Sequence, residues 1–232
     1  MKILVTGAGG FIGGAVARSL VQRGHQVRGF QRGLYGQLQD QGIEQVQGDL
    51  ADRDLVAAAI EGCDGVFHIG AFAAVTGPYS KFHRTNVIGT QHVIEACRRH
   101  GVGKLIYTSS PSVVFDGKDQ QGIDESAPYP DRHLAHYPRT KALAERAVLA
   151  ANCATLATIA LRPHLVWGPG DRHLVPRIVE RARAGKLKLI KRAGIRIDAT
   201  YIDNVVDAHI SAFESLSTGS TCSGKPYFIS NG

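Results

Sequence analysis

The run Tyr137-Pro138-Arg139-Thr140-Lys141 places a phenol and an ammonium four residues apart. On a helix that spacing puts both on one face, about one turn apart. A phenol with an ordinary pKa near ~10 is a poor acid or base at neutral pH, and a neighbouring cation lowers that value, so the expected role of the pair is proton transfer. Pro138 is tolerated only in a first helical turn, which predicts a helix over Tyr137 to Ala150. Three hydroxyls, Ser109, Ser110 and Ser112, follow the predicted strand Lys104 to Thr108, at the carboxyl edge where open α/β sheets hold ligands. Any of them could hydrogen-bond a carbonyl oxygen in company with Tyr137, and strand alternation does not choose among them.

A second chemical signal lies at the amino end. Gly7, Gly10 and Gly13, in TGAGGFIG, follow the predicted strand Ile3 to Val5 and open the predicted helix Phe11 to Arg23. This is the dinucleotide arrangement: Gly7 permits the sharp turn, Gly10 lets a pyrophosphate approach, and Gly13 allows close helix packing. Phe11 and Ile12 belong to the same turn, whose helix end offers unpaired N–H groups and partial positive charge. The carboxyl end of the second strand discriminates between dinucleotides. An acid there would hold both ribose hydroxyls, but the sequence reads Gly29-Phe30-Gln31-Arg32. Arg32, with Gln31 and with Arg28 should it face the pocket, suits a 2′-phosphate. The expectation is NADP(H), with NAD(H) as the alternative. Asp49 and Leu50, just past the third strand, are expected at the adenine; the other reading of Asp49 is a helix cap.

The elements that must position these groups are short apolar blocks alternating with helical stretches. After the first strand and helix come strands at Gln26 to Phe30, Gln45-Val46, Gly65 to His68 and Leu156 to Leu161, with helices at Leu55 to Glu61 and Asn86 to His100. Continuous apolar strands alternating with helices predict an α/β fold, a Rossmann-type doubly wound parallel sheet with helices on both faces. Beyond Pro163 the pattern becomes a basic amphipathic helix over Leu174 to Ala184, a short strand, a helix within Thr200 to Leu216 and a last strand, Lys225 to Ile229. The expected division is a cofactor domain over 1–167, a partial substrate-binding segment over 168–200, and a return to the first domain over 201–232.

Composition removes other classes. Hydrophobic residues at 44% and charged residues at 20% describe a folded chain rather than a disordered one. The net charge of +7 is local: ten basic residues between Arg162 and Arg196 face only Asp171 and Glu180. No nucleic-acid signature accompanies them, so a solvated helix face or a collar for an anionic ligand is expected and a nucleic-acid partner is not. Cys63, Cys97, Cys153 and Cys222 form no CxxC pair and are expected as free thiols. The histidines form no HExxH set, so no metal is expected, and no GxSxG elbow occurs. Without a leader pattern or an apolar run of membrane-spanning length, a soluble cytoplasmic protein is expected.

Taken in order, TGAGGFIG, GDL, NVIGTQ, YTSSPSV, YPRTK and LRPHLVWGPGD resemble the extended short-chain dehydrogenase/reductases, the NAD-dependent epimerase/dehydratase superfamily. YTSS followed by YPRTKALAERAVLAAN is similar in particular to the 3β-hydroxysteroid dehydrogenase/isomerase branch and to bacterial 2-alkyl-3-oxoalkanoate (β-keto acid) reductases. The resemblance implies Tyr137 as general acid/base, Lys141 as the residue that lowers its pKa and holds the nicotinamide ribose, and Ser110 as the serine orienting the substrate oxygen. Asn86 matches an asparagine supporting the helix backbone and a water path to the lysine, and could otherwise be read as a helix-start residue. Gly70 and Ala71 match positions beneath the cofactor, and Pro163 and Val166 the segment approaching the nicotinamide amide. The implied reaction is hydride transfer between nicotinamide and a ketone or secondary alcohol of a hydrophobic 3-oxo acid or 3-hydroxysteroid-like substrate. The alternatives are a non-catalytic NADP-binding regulator or scaffold and a sugar-nucleotide epimerase or dehydratase. A homodimer through the helices following Asn86 and Tyr137 is implied too. The chain departs from the family in Val113-Val114-Phe115 and in Arg192-Ala193-Gly194, and much of the family's C-terminal substrate lobe would lie beyond Gly232, so truncation relative to the family is expected.

Overall fold

Burial alternates along the first strand. Ile3 and Val5 belong to one apolar cluster and Leu4 to another, so the sheet is covered on both faces. The computed structural model describes residues 1–171, 174–188, 194 and 196–231. Its chain order opens with β1 (Lys2–Thr6), α1 (Phe11–Gln22), β2 (Gln26–Gln31), α2 (Gly36–Asp40), β3 (Glu44–Gln47), α3 (Arg53–Ile60) and β4 (Gly65–His68). Next come α4 (Tyr79–Phe82), a π-helical turn (His83–Ile88), α5 (Gly89–Arg99), β5 (Lys104–Thr108) and a single 3₁₀ turn (Pro111–Val114). The chain continues through α6 (His136–Ala150), β6 (Ala157–Pro163), β7 (Val166–Trp167), α7 (Val175–Arg183), β8 (Thr200–Tyr201), α8 (Ile202–Ser215) and β9 (Lys225–Ile229).

Seven strands form one parallel sheet in the order β3-β2-β1-β4-β5-β6-β9, the expected doubly wound α/β architecture. The direction of winding reverses at β1, between its neighbours β2 and β4, and such a switch point opens a crevice at the carboxyl ends of the strands. One apolar layer packs α1 and α8 on the sheet through Val16, Leu20, Ile210 and Phe213. The opposite layer packs α3, α5 and α6 through Val56, Ile60, Val93 and Val148. At the edge, β9 pairs with β6 and also ties down neighbouring loops: Ile229 O accepts from His164 N (3.1 Å) and Thr200 Oγ1 (2.9 Å), and Phe228 N donates to Glu125 (2.8 Å).

Several elements differ from expectation. The helix predicted to begin at Asn86 starts at Tyr79, so Asn86 lies inside the π-helical turn and is no helix cap. Helix α3 begins at Arg53, capped by Asp52, whose carboxylate accepts from Leu55 N (3.1 Å); Asp49 is therefore not that cap. Helix α2 has only Leu38 buried, too little apolar periodicity to be visible beforehand. Helix α7 forms as expected, its first N–H groups held by Asp171, and none of its described residues is buried. The short strand expected after it falls partly on residues 189–193, outside the described residues, as do Arg172, Lys191, Arg192 and Ala193; residues 186–188 form no strand. All four cysteines are free thiols. Among the described residues, no helix is long and apolar enough to cross a membrane.

Candidate active site

The turn between β1 and α1 is held by its own backbone. Gly7 N donates to Phe30 O at 2.8 Å and Gly10 N to Gly7 O at 2.9 Å. Gly7 adopts φ +72°, and a Cβ there would lie 2.8 Å from Gly70 Cα, so the turn and the end of β4 approach as bare backbones. A Cβ on Gly13 would lie 2.2 Å from Gly7 O, which explains why the helix must start with glycine at that position. Gly10 is the N-cap of α1 and provides no side-chain acceptor, and the first turn carries no acid, so the helix end keeps its N–H groups and positive dipole for a ligand. Gly7, Gly10, Phe11, Ile12 and Gly13 all line one cleft of about 2060 Å³ at the switch point.

The same cleft is lined by Gln31, Arg32, Asp49, Leu50, Gly70 and Ala71. Arg28 is not part of it. Its guanidinium turns to the neighbouring strand and helix, donating to Glu44 (2.8 Å), Ala59 O (2.8 Å) and Glu61 O (3.2 Å). Gln31 is buried and donates to Gln45 (3.2 Å), while the Arg32 side chain is exposed. Asp49 accepts from Ala51 N (3.0 Å) and pairs with Arg84 (3.2 Å). Sequence reasoning missed Tyr35, whose ring lies against Gly9 so closely that a Cβ there would come within 2.1 Å of it. No periodicity marks a lone aromatic in a turn.

On the other side the cleft is lined by Ser109, Ser110 and Ser112 together with Tyr137, Lys141, Pro163 and Val166. Ser110 caps the 3₁₀ turn and bonds the Ser112 hydroxyl at 2.8 Å. Ser109 is buried, and its hydroxyl has no partner among the described residues. Tyr137 is the second residue of α6, with Pro138 in the first turn as expected. Burial in the cleft pushes its phenol up to about 12, and the nearby Ser110 hydroxyl acts the other way. This differs from the expected depression by Lys141. That ammonium is itself buried, donates to Thr108 O at 2.5 Å, lies 4.1 Å over the Tyr107 ring, and is pushed down to about 7 by burial, with the Glu145 carboxylate opposing. Desolvation dominates both shifts, outweighing the Ser110 hydroxyl at Tyr137 and the Glu145 charge at Lys141.

Asn86 does not line the cleft. Its side chain accepts from Phe72 N (2.7 Å) and donates to Phe72 O (3.2 Å) and to Thr140 (3.1 Å), bracing the loop after β4 against α6. Behind Lys141, one helical turn further on, lies a buried ion pair that the sequence reading did not anticipate. Glu145, 0% exposed, receives Arg162 through contacts of 2.6, 3.1 and 3.2 Å and the Tyr129 hydroxyl at 2.6 Å. The continued four-residue spacing Tyr137, Lys141, Glu145 was the available signal. No group of three His, Cys, Asp or Glu side chains among the described residues could hold a metal ion.

Residues 4–232 match the model of the 3-beta hydroxysteroid dehydrogenase/isomerase family. The chain is 55% identical over its whole length to the 2-alkyl-3-oxoalkanoate reductase of Stenotrophomonas maltophilia, covering 71% of that protein. It is 47% identical over 98% of its length to the enzyme of the same name from Shewanella oneidensis, covering 61% of it. Both relatives are thus longer than this chain. The solved structure of MoeE5 with UDP-glucuronic acid and NAD superimposes with a TM-score of 0.84 at 29% identity, covering 100% of this chain and 77% of that one. The expected preference for NADP(H) is overturned by these structural relatives, whose complexes hold NAD. The physical reason is in the second strand: Arg28 and Gln31 are engaged elsewhere, leaving one solvated guanidinium where a 2′-phosphate pocket had been expected.

Proposed function

The chain belongs to the 3-beta hydroxysteroid dehydrogenase/isomerase family of NAD(P)-dependent oxidoreductases, and from that premise we propose that it uses NAD(H) to interconvert a ketone and a secondary alcohol on a hydrophobic 3-oxo acid of the 2-alkyl-3-oxoalkanoate class. The observation that carries this reading is the convergence of Ser110, Tyr137 and Lys141 on the same cleft as the bare glycine turn.

The residues present suit a dinucleotide. The turn Gly7 to Gly13 and the free N–H groups of α1 would receive its pyrophosphate, Gln31, Arg32, Asp49 and Leu50 its adenosine half, and Gly70, Ala71, Pro163 and Val166 its nicotinamide half. When bound, the nicotinamide supplies the hydride for reduction or takes it up in oxidation. In reduction Tyr137 gives its proton to the carbonyl oxygen, and a phenol held near 12 is fully protonated at neutral pH for that task. Ser110 would donate a hydrogen bond to the same oxygen, and Lys141, anchored on Thr108 O, would hold the nicotinamide ribose. Asn86 holds the backbone on which Tyr137 and Lys141 ride. Residues 1–167 and 201–232 form the cofactor side in this reading, and 168–200 part of the substrate side. The assembly is a homodimer through α5 and α6, supported by Leu143 on α6, which remains 39% exposed.

Titration with NADH and turnover of a panel of 3-oxo acids test the reading. Tyr137→Phe should keep NADH affinity and lose ~10²- to 10⁴-fold in turnover, whereas Lys141→Met should lose both. Near-full activity of Tyr137→Phe, or a wild type that binds NADH but reduces no member of the panel, overturns it.

A further inference from the structure

A continuous path of buried hydrogen bonds crosses the switch point, and its polarity can be derived atom by atom. Thr90 Oγ1 donates to Asn86 O at 2.6 Å, so its single hydrogen is committed. Toward His68 Nε2, 2.9 Å away, it can therefore only accept, and that nitrogen carries the ring proton. In a neutral ring Nδ1 is then an acceptor, and it receives the Thr6 hydroxyl at 2.8 Å. Thr6 Oγ1 in turn accepts from Ile69 N (3.1 Å) and Gly70 N (3.0 Å). On the far side Asn86 donates to Thr140 Oγ1, which donates to the carbonyls of His136 (2.9 Å) and Tyr137 (3.0 Å). Every group is satisfied in this one arrangement. A second proton on His68 would face an oxygen already accepting two N–H groups and would orphan the Thr6 hydrogen. Burial, with the nearby Lys141 charge adding to it, pushes His68 down to about 3, in keeping with that polarity.

The two ends of the path are functional. Thr6 immediately precedes Gly7, and the Gly70 amide it holds belongs to the backbone that Gly7 approaches. Thr140 lies between Tyr137 and Lys141 in the first turns of α6. Asn86 lies between them in the π-helical turn, a rare element that is frequent at functional sites. We propose that His68 is a positioning residue that fixes the glycine-rich cofactor turn relative to the helix carrying Tyr137, acting as acceptor toward Thr6 and donor toward Thr90. The inference rests on the oxidoreductase reading for its catalytic arm and on the cofactor turn alone for its binding arm.

Two substitutions cut the path at different ends. In His68→Asn the amide oxygen can take the place of Nδ1 and accept from Thr6, while nothing reaches Thr90. In His68→Gln the amide nitrogen can reach Thr90, while the Thr6 hydroxyl loses its acceptor. His68→Gln should weaken NADH binding about 10-fold with a smaller change in kcat, and His68→Asn should keep NADH affinity within about 3-fold and lower kcat about 10-fold, the scale of one lost buried hydrogen bond. Thr90→Val, which leaves His68 in place, should behave as His68→Asn, and Thr90→Ser should restore wild-type kcat. All are compared at equal folded fraction, set by urea unfolding. The proposal fails if the variants only lower stability and keep wild-type Kd and kcat, or if both histidine variants shift Kd and kcat alike. Should wild type bind NADH but reduce no 3-oxo acid, the function reading falls while the Kd split and the Thr90 pair still decide the role of His68: no split in Kd overturns it.

Discussion

Replacing Arg162 by methionine should destabilise the chain far more than removing Arg162 and Glu145 together. Both side chains are sealed from solvent, at 1% and 0% exposure, and are joined by contacts of 2.6, 3.1 and 3.2 Å. Arg162→Met leaves a buried carboxylate whose remaining hydrogen-bond partner among the described residues is the Tyr129 hydroxyl at 2.6 Å. Breaking such a pair from one side typically costs ~3–5 kcal/mol, a large share of the ~5–15 kcal/mol that holds a domain folded. The double variant Glu145→Leu/Arg162→Met removes both desolvation penalties and leaves only the Tyr129 hydroxyl without its acceptor, at ~1–3 kcal/mol. The pair is not ideal to begin with, since Arg162 Nη1 has no hydrogen-bond partner among the described residues. Urea unfolding of wild type, both single variants and the double variant closes the cycle. Losses that simply add, or an Arg162→Met variant within ~1 kcal/mol of wild type, would refute the reasoning.

Gly13→Ala should weaken NADH binding by ~10-fold or more, because its Cβ meets Gly7 O at 2.2 Å and the Gly7 carbonyl carbon at 2.7 Å, both backbone atoms that cannot swing away. Gly36→Ala, with nothing within 4 Å, is the control, and calorimetric titration should find it unchanged. Stability should also fall in acid. Burial lowers His68 to about 3 and His209 to about 4 from 6.5, so the unfolded chain takes up these protons first. Their contribution is intact above pH 6.5 and is lost, at up to ~1.4 kcal/mol per pH unit for each, as pH falls through that window toward 4 and 3. Lys141, lowered to about 7 from 10.5, makes stability rise further between those values. Urea midpoints that stay flat between pH 7 and 4.5 would contradict this.

The sheet was legible because parallel strands buried on both faces appear as uninterrupted apolar runs, as in Ile3 to Val5 and Leu105 to Tyr107. The glycine turn and the Tyr137–Lys141 spacing were legible because each depends on local geometry. What failed depended on distance in space. The face of β2 that carries Arg28 is set by its neighbours Glu44 and Ala59, so a cofactor-directed arginine could not be told from a structural one. Arg162 reaches Glu145 only because β6 passes beneath α6, and nothing in LRP announces an ion pair. The phenol shift was misjudged, and the ammonium shift unforeseen, because a charge a turn away is visible in a sequence and desolvation is not. The π-helical turn has no sequence signature either, and it turned an apparent helix start at Asn86 into an interior brace.

The attachment of β9 gives the two sides of the cleft different opening free energies. The cofactor turn grows from β1, clamped between two strands and fully buried along Ile3 to Thr6. The opposite wall hangs on a strand with one neighbour, whose residues are half-buried or exposed and whose carbonyl at Ile229 gathers the chain at His164 and Thr200. Amide hydrogen exchange should therefore be fast at the β9 edge and slow at β1, the pattern of a sub-global unit that loosens while the rest stays closed. Under the proposed binding mode the nicotinamide half, held by Pro163 and Val166 beside that edge, would loosen before the pyrophosphate half, which stays on the rigid turn after β1.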